Sequence, residues 1–364
     1  MNFAVSIETK NLTICENYAG KAQHILYKRR TAIMKMNRRV LVTGGGGFLG
    51  RYIVEQLRER GDAVTVFARG NYPELAQIGA TVARGDLQDA RAIAAACAGM
   101  DAVFHVAARP GIWGTWESFY TANVVGTQNV IDACRAQRVP KLIFTSSPSV
   151  VFDNQPQAGC DERLPYPVRY ENFYSHTKAL AEQMVVAANA PDLLTVTLRP
   201  HLIWGPRDPH LLPRLIARAK AGQLMQVGEG KNRVDITYVE DAARAHLLAA
   251  DALQPGSPVA GSVYFISQDA PVNLWGWIRE LLPRLHIPPM TRAMSLTTAR
   301  RIGSVMEFVW RNLRLSGEPR MTRFLASELA LDHYYDISRA KRDFGYAPQF
   351  SMNAALERTL PFLR

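Results

Sequence analysis

Cysteine is scarce in this chain: Cys15, Cys97, Cys134 and Cys160 are the four among 364 residues. They are widely scattered, with no CxxC and no metal-ligand spacing, which excludes a disulfide scaffold and argues for a reducing compartment. No metal is expected. Long hydrophobic runs are missing as well. No uncharged apolar stretch reaches the ~18 residues of a membrane span, and no signal-like apolar core follows Met1. The expectation is a cytoplasmic protein. There is no internal repeat, no low-complexity tract and no two-residue hairpin signal. Acids are outnumbered, 32 to 43, for a net charge of +11. Yet residues 1–39 alone hold eight Lys or Arg against two Glu. A basic excess crowded into one end is a poor nucleic-acid footprint, so no nucleic-acid partner is expected. Residues 1–36 read as a basic, disordered extension.

What remains is 48% apolar and 21% charged, the composition of an ordinary globular protein long enough for a substantial core. From Arg39 onwards short apolar runs (40–43, 64–68, 81–83, 102–106, 141–146, 195–198) alternate with helical patterns near 48–60, 89–98, 117–138 and 173–188. Alternation of this kind implies an α/β fold, a Rossmann-type doubly wound parallel sheet covered on both faces. After Pro200 the pattern breaks into Pro-rich segments and helices, with strand candidates at 234–238 and 262–266.

TGGGGFLG (residues 43–50) follows the first strand and opens a helix. Gly44 permits the tight turn, Gly47 a close approach of backbone to a pyrophosphate, and Gly50 tight helix–strand packing. The helix N-terminus supplies N–H groups and partial positive charge. Residues 37–199 with 237–266 are therefore read as a dinucleotide-binding domain. Residues 200–236 with 267–364 form a smaller, mostly helical substrate lobe. At the end of the second strand, where an NAD site carries an acid, the chain has Ala68 followed by Arg69. A guanidinium fork suits a 2′-phosphate, so NADP(H) is favoured over NAD(H).

FYSHTK (residues 173–178) places Tyr174 and Lys178 four apart on a helix face. An ammonium at about 5 Å would favour the phenolate by ~3 kcal/mol, or about two pKa units, at an effective dielectric near 20. Upstream, FTSSPSVV (144–151) puts hydroxyls at the carboxyl edge of the sheet, where this fold binds ligands.

Together these pieces resemble the extended short-chain dehydrogenase/reductase family over residues 37–364. The matching stretches are TGGGGFLG, GDL at 85–87, HVAA at 105–108, NVVGT at 123–127, SSPSV at 146–150, YSHTK at 174–178 and RPHLIWGP at 199–206. The resemblance implies that Tyr174 exchanges the proton, that Lys178 lowers its pKa and holds the nicotinamide ribose, and that Ser147 hydrogen-bonds the reacting oxygen. Ser146 and Ser149 are the alternatives. Asn123 would support a relay water. Phe48, Leu49, Asp86, Leu87, Ala107 and Pro200 would contact the cofactor. Residues 199–215 and 234–246 resemble the 3β-hydroxysteroid and sterol-4-carboxylate dehydrogenase branch. ARGNYPEL (68–75), residues 111–130, the same segment 199–215 and DISRAKRDFGYAP (336–348) look closer still to the bacterial 2-alkyl-3-oxoalkanoate reductases of long-chain olefin biosynthesis. Sugar-nucleotide epimerases and dehydratases are a third reading.

That resemblance implies NADPH-dependent reduction of a lipid-like keto acid, a homodimer pairing through helices 117–138 and 173–188, and association with other olefin-pathway enzymes. A substrate carboxylate needs a cationic partner. Arg109, directly after HVAA, is the first candidate, with His201 and Arg207 as alternatives and Trp113 and Trp116 as apolar walls. Arg109 could equally pair with an acid or with the cofactor phosphates. Residues 300–315 show an apolar stripe (Ile302, Val305, Met306, Val309, Trp310, Leu313) opposite Arg300, Ser304, Glu307, Arg311 and Arg314. Core packing, a lid over a long acyl chain, or weak membrane-surface contact would each use it.

Overall fold

The computed structural model describes residues 37–363; the basic extension expected over 1–36 lies outside them. Seven parallel strands form the central sheet: β1 (Arg39–Thr43), β2 (Ala63–Ala68), β3 (Thr81–Arg84), β4 (Ala102–His105), β5 (Lys141–Thr145), β6 (Leu194–Pro200) and β7 (Val263–Ile266). Their order is β3-β2-β1-β4-β5-β6-β7, so chain direction across the sheet reverses between β1 and β4. Side chains alternate across the pleat. Val40 and Val42 pack with Ile53 and Leu57 of the helix Phe48–Arg60 and with the helix Val239–Ala252. Leu41 points the other way, towards Ile93, Val130, Ile131 and Val185. The expected doubly wound architecture is present.

Helix 117–138 of the sequence reading is one rod in three parts: Trp116–Tyr120, a π-helical turn Thr121–Val125, and Gly126–Ala136. The strand candidate at 234–238 is two strands. Arg233–Val234 joins a four-stranded sheet, while Thr237–Tyr238 pairs with Ile203–Trp204. The break has a cause. The Asp235 carboxylate accepts the Tyr335 N–H at 2.8 Å, and Thr237 turns its hydroxyl to the His201 carbonyl. The four-stranded sheet also recruits Gln157–Cys160, paired in parallel with His333–Tyr335. A second apolar core, built on Trp204, Tyr238, Trp275 and Ile278, fills the smaller lobe.

Candidate active site

A cavity of about 970 Å³ runs along the carboxyl edge of the sheet above the β1–β4 switch point, within the size range of small-molecule sites. Gly44 turns the chain out of β1 at φ +69°, and a Cβ there would lie 2.8 Å from the Ala107 backbone. Gly47 caps the helix Phe48–Arg60 without a side chain, which leaves first-turn N–H groups free for an anion. A Cβ on Gly50 would clash with the Gly44 carbonyl. The loop is thus a backbone cradle with the close approach a dinucleotide diphosphate requires. Phe48 and Leu49, Arg69, Asp86 and Leu87, Ala107 and Pro200 all line the same cavity. Arg69 is exposed, and among the described residues no acid pairs with it. Asp86 folds its own turn, with Oδ1 accepting the Gln88 N–H at 3.0 Å.

The helix Phe173–Ala187 starts at Asn172, whose side chain accepts the Ser175 N–H at 2.8 Å. This start brings Tyr174 and Lys178 to the cavity beside Ser146 and Ser147, which follow β5. Lys178 is buried. Its Nζ donates to the Thr145 carbonyl at 2.6 Å and sits 4.0 Å from the Phe144 ring centre. Desolvation pushes the amine down to about 7, against the attraction of Glu182. Tyr174 is half-buried, and desolvation raises its pKa above the ordinary 10.0 while the Ser147 hydroxyl pulls the other way. Burial outweighs any lowering of the phenol in this structure, and the Lys178 amine is turned to the Thr145 carbonyl.

Ser147 shares a hydrogen bond with Ser149 Oγ at 3.0 Å. Ser149 does not line the cavity, whereas Ser146 does, with a buried Oγ that lacks a partner. Asn123 lies in the π-helical turn, buried and off the cavity. Its Oδ1 accepts the Arg109 N–H at 2.7 Å and its Nδ2 donates to Thr177 Oγ1 at 3.1 Å. It ties the loop after β4 to the helix Phe173–Ala187. Arg109 lines the cavity, with its guanidinium 5.1 Å from the Phe119 ring centre; the same ring stands edge-on to Tyr174 at 6.5 Å.

Other expected substrate residues lie elsewhere. Trp113 is half-buried and off the cavity. Trp116 packs on Tyr120, Phe173 and His176. His201 is buried, with Nε2 2.6 Å from His333 Nδ1, and burial holds it neutral. Arg207 forks onto Glu55 at 2.7 and 2.8 Å and stacks over Tyr52.

Sequence reasoning missed several supports. Tyr72 lines the cavity and lays its ring over Gly46, so that a side chain there would have to displace it. Its signal was its place in ARGNYPEL. His105 bridges Thr43 at 2.8 Å and Thr127 at 2.9 Å beneath the switch point, and desolvation holds its pKa at about 3. His246 fixes Thr145 through a 2.8 Å bond, and burial lowers it to about 4. Both are neutral props rather than acids or bases.

Comparison with known proteins bears on the same residues. Residues 41–296 match the 3-beta hydroxysteroid dehydrogenase/isomerase family. A 2-alkyl-3-oxoalkanoate reductase of Stenotrophomonas maltophilia (strain K279a) is 48% identical over 322 residues, covering 88% of this chain and 98% of that protein. The human sterol-4-alpha-carboxylate 3-dehydrogenase, decarboxylating, is 36% identical over 337 residues, covering 90% of this chain and 88% of that protein. Among solved structures, MoeE5 in complex with UDP-glucose and NAD superposes with a TM-score of 0.69 at 25% identity, covering 89% of this chain and 98% of that one. With its glycine cradle and Tyr174–Lys178 pair on a doubly wound sheet, the chain belongs to the 3-beta hydroxysteroid dehydrogenase/isomerase family of extended short-chain dehydrogenase/reductases.

Proposed function

We propose that the chain is an NADPH-dependent reductase that converts a 2-alkyl-3-oxoalkanoate to the 2-alkyl-3-hydroxyalkanoate in long-chain olefin biosynthesis. The observation that carries this reading is 48% identity along 98% of a 2-alkyl-3-oxoalkanoate reductase. It is joined to a cavity where Ser147, Tyr174 and Lys178 meet beside the glycine cradle. When bound, the reduced nicotinamide supplies hydride to the ketone carbon. Tyr174 gives the proton to the developing alkoxide, and its raised pKa keeps the phenol loaded throughout the neutral range. Ser147 hydrogen-bonds the same oxygen. Lys178, near half-protonated at neutral pH, returns a proton to the phenolate. Asn123 acts by position, since its carboxamide holds the Arg109 backbone and Thr177.

Arg69 after Ala68 is the reason for choosing NADPH: an exposed fork at the end of β2, with no acidic partner among the described residues, attracts a 2′-phosphate, and Ala68 puts no carboxylate there to repel it. Arg109 is the partner assigned to the substrate carboxylate. It lines the cavity, is exposed, and has no acidic partner among the described residues. Trp116, Tyr120 and Phe173 expose an aromatic patch on the two helices assigned to a homodimer interface. The second reading, a sterol-type dehydrogenase, is favoured by 36% identity to the human sterol enzyme. A panel of 2-alkyl-3-oxoalkanoates, hydroxysteroids and nucleotide sugars, read by NADPH or NADP+ absorbance, decides between them. Turnover confined to steroids or sugars overturns the reductase.

A further inference from the structure

Of eleven exposed large hydrophobic side chains among the described residues, five crowd into 302–315: Ile302, Val305, Phe308, Leu313 and Leu315. Phe308, Leu313 and Val305 are the barest of the five, at 69%, 66% and 63% exposed. The sequence pattern put Glu307 on the polar side, opposite the apolar stripe. The structure buries Glu307 and divides the stripe: Met306, Val309 and Trp310 are half-buried, while Ile302, Val305 and Leu313 stay exposed. The helix Leu296–Asn312 lies against the helix Arg323–Ala330 through Ala299, Gly303 and Glu307. A Cβ on Gly303 would come 2.6 Å from the Thr322 carbonyl carbon, so only glycine permits this approach. Glu307 accepts the Arg323 backbone N–H at 2.7 Å and its Nε at 2.9 Å, which fixes the rotation of the helix. Ile302, Val305 and Phe308 are thereby held in solvent.

The charge around this face is one-sided. Residues 296–323 contain six arginines and two glutamates. Both glutamates are engaged, Glu307 by Arg323 and Glu318 by Arg214. Arg300 is held by Glu171 at 2.6 Å. Arg301, Arg311, Arg314 and Arg320 have no acidic partner among the described residues. Bare aliphatic and aromatic side chains interleaved with unpaired arginines suit the boundary between anionic headgroups and acyl chains. We propose that the helix Leu296–Asn312 and the turn through Leu315 dock the protein on an anionic lipid surface. The face also borders the site. Glu171 adjoins the cap of the helix Phe173–Ala187, and Glu318 Oε1 lies where it would stand 3.0 Å from a Cβ on Gly111, in the loop after Arg109. The proposal stands on this surface alone. Combined with the reductase reading, it places the cavity beside the phase that holds a long-chain substrate.

The test is co-sedimentation of the full chain with vesicles of phosphatidylglycerol and phosphatidylcholine in equal parts, and with phosphatidylcholine alone. Binding to the mixed vesicles is expected, weakened by salt. The double variant Val305→Asp/Phe308→Asp should lose at least about tenfold in partitioning. Arg311→Gln or Arg314→Gln should each lose about fivefold. Thermal stability and turnover of a short soluble keto acid, read in the same samples, should not change. Failed catalysis and failed docking are thus separate results. A wild-type chain that ignores anionic vesicles overturns the proposal. So does a double variant that binds as well as wild type, because the basic residues 1–36 would then carry the attraction. If wild type stays unbound while the double variant alone loses self-association, the face is an interface between copies and the proposal falls.

Discussion

Lys178→Met removes a buried amine while keeping its length, and its consequences follow from one displaced equilibrium. In the folded chain desolvation pushes that amine to about 7 from an ordinary 10.5. The pull of Glu182 and the Phe144 ring at 4.0 Å favour the ammonium, but burial outweighs both. In the unfolded chain the amine titrates near 10.4. Between about pH 7 and 10 the unfolded state therefore holds a proton that the native state lacks, and stability rises with pH through that window. Below about pH 7 both states are charged and the contribution is flat. At about 1.4 kcal/mol per unit, the rise has a ceiling near 5 kcal/mol. The methionine variant should lack this slope and be more stable than wild type at pH 7 and below, while losing turnover. Urea midpoints measured without cofactor from about pH 6 to 10, at fixed ionic strength, read both effects. Other titrating groups cancel in the difference between the two proteins. Parallel pH profiles would refute the reasoning, as would a methionine variant less stable than wild type at low pH, because either means that the fold satisfies the ammonium.

Tyr174→Phe should lower turnover by about 10²- to 10⁴-fold and leave NADPH affinity within about twofold, checked by initial rates and fluorescence titration. Arg69→Ala should weaken NADPH by about tenfold or more and NADH little, read as kcat/KM for each cofactor. Arg109→Met should cost about tenfold or more on a 3-oxo acid and spare a neutral ketone of similar shape. Equal losses on both would move Arg109 to a supporting role. Light scattering at micromolar concentration should give a dimer mass, and Trp116→Glu/Phe173→Glu should shift it to the monomer.

The parts of this molecule legible in its sequence are those governed by local chemistry. The cradle could be read because Gly44 and Gly50 sit where no other side chain fits. The helical pattern near 173–188 was legible, and the i, i+4 spacing put Tyr174 and Lys178 on one face. What stayed hidden depends on distant partners. Periodicity cannot show a π-helical turn, because the extra residue at 121–125 changes the hydrogen-bond register without changing which residues are apolar. The pairing of Gln157–Cys160 with His333–Tyr335 joins segments more than a hundred residues apart. His201 could be recognised as a core residue only once His333 was beside it. The 300–315 stripe left its use open for a related reason. Gly303 and Glu307 decide which face packs, and their partners lie on another helix.

The measurement closest to the central claim is the fate of the hydride. Purified protein is given a 2-alkyl-3-oxoalkanoate and NADPH deuterated at nicotinamide C4, in separate runs for the two faces, and the product is analysed by mass spectrometry and NMR. The expected result is a 2-alkyl-3-hydroxyalkanoate with one deuterium on carbon 3 from one labelled face only, and no product with Tyr174→Phe. Label absent from carbon 3 in both runs, or undiminished product from the phenylalanine variant, would contradict the account.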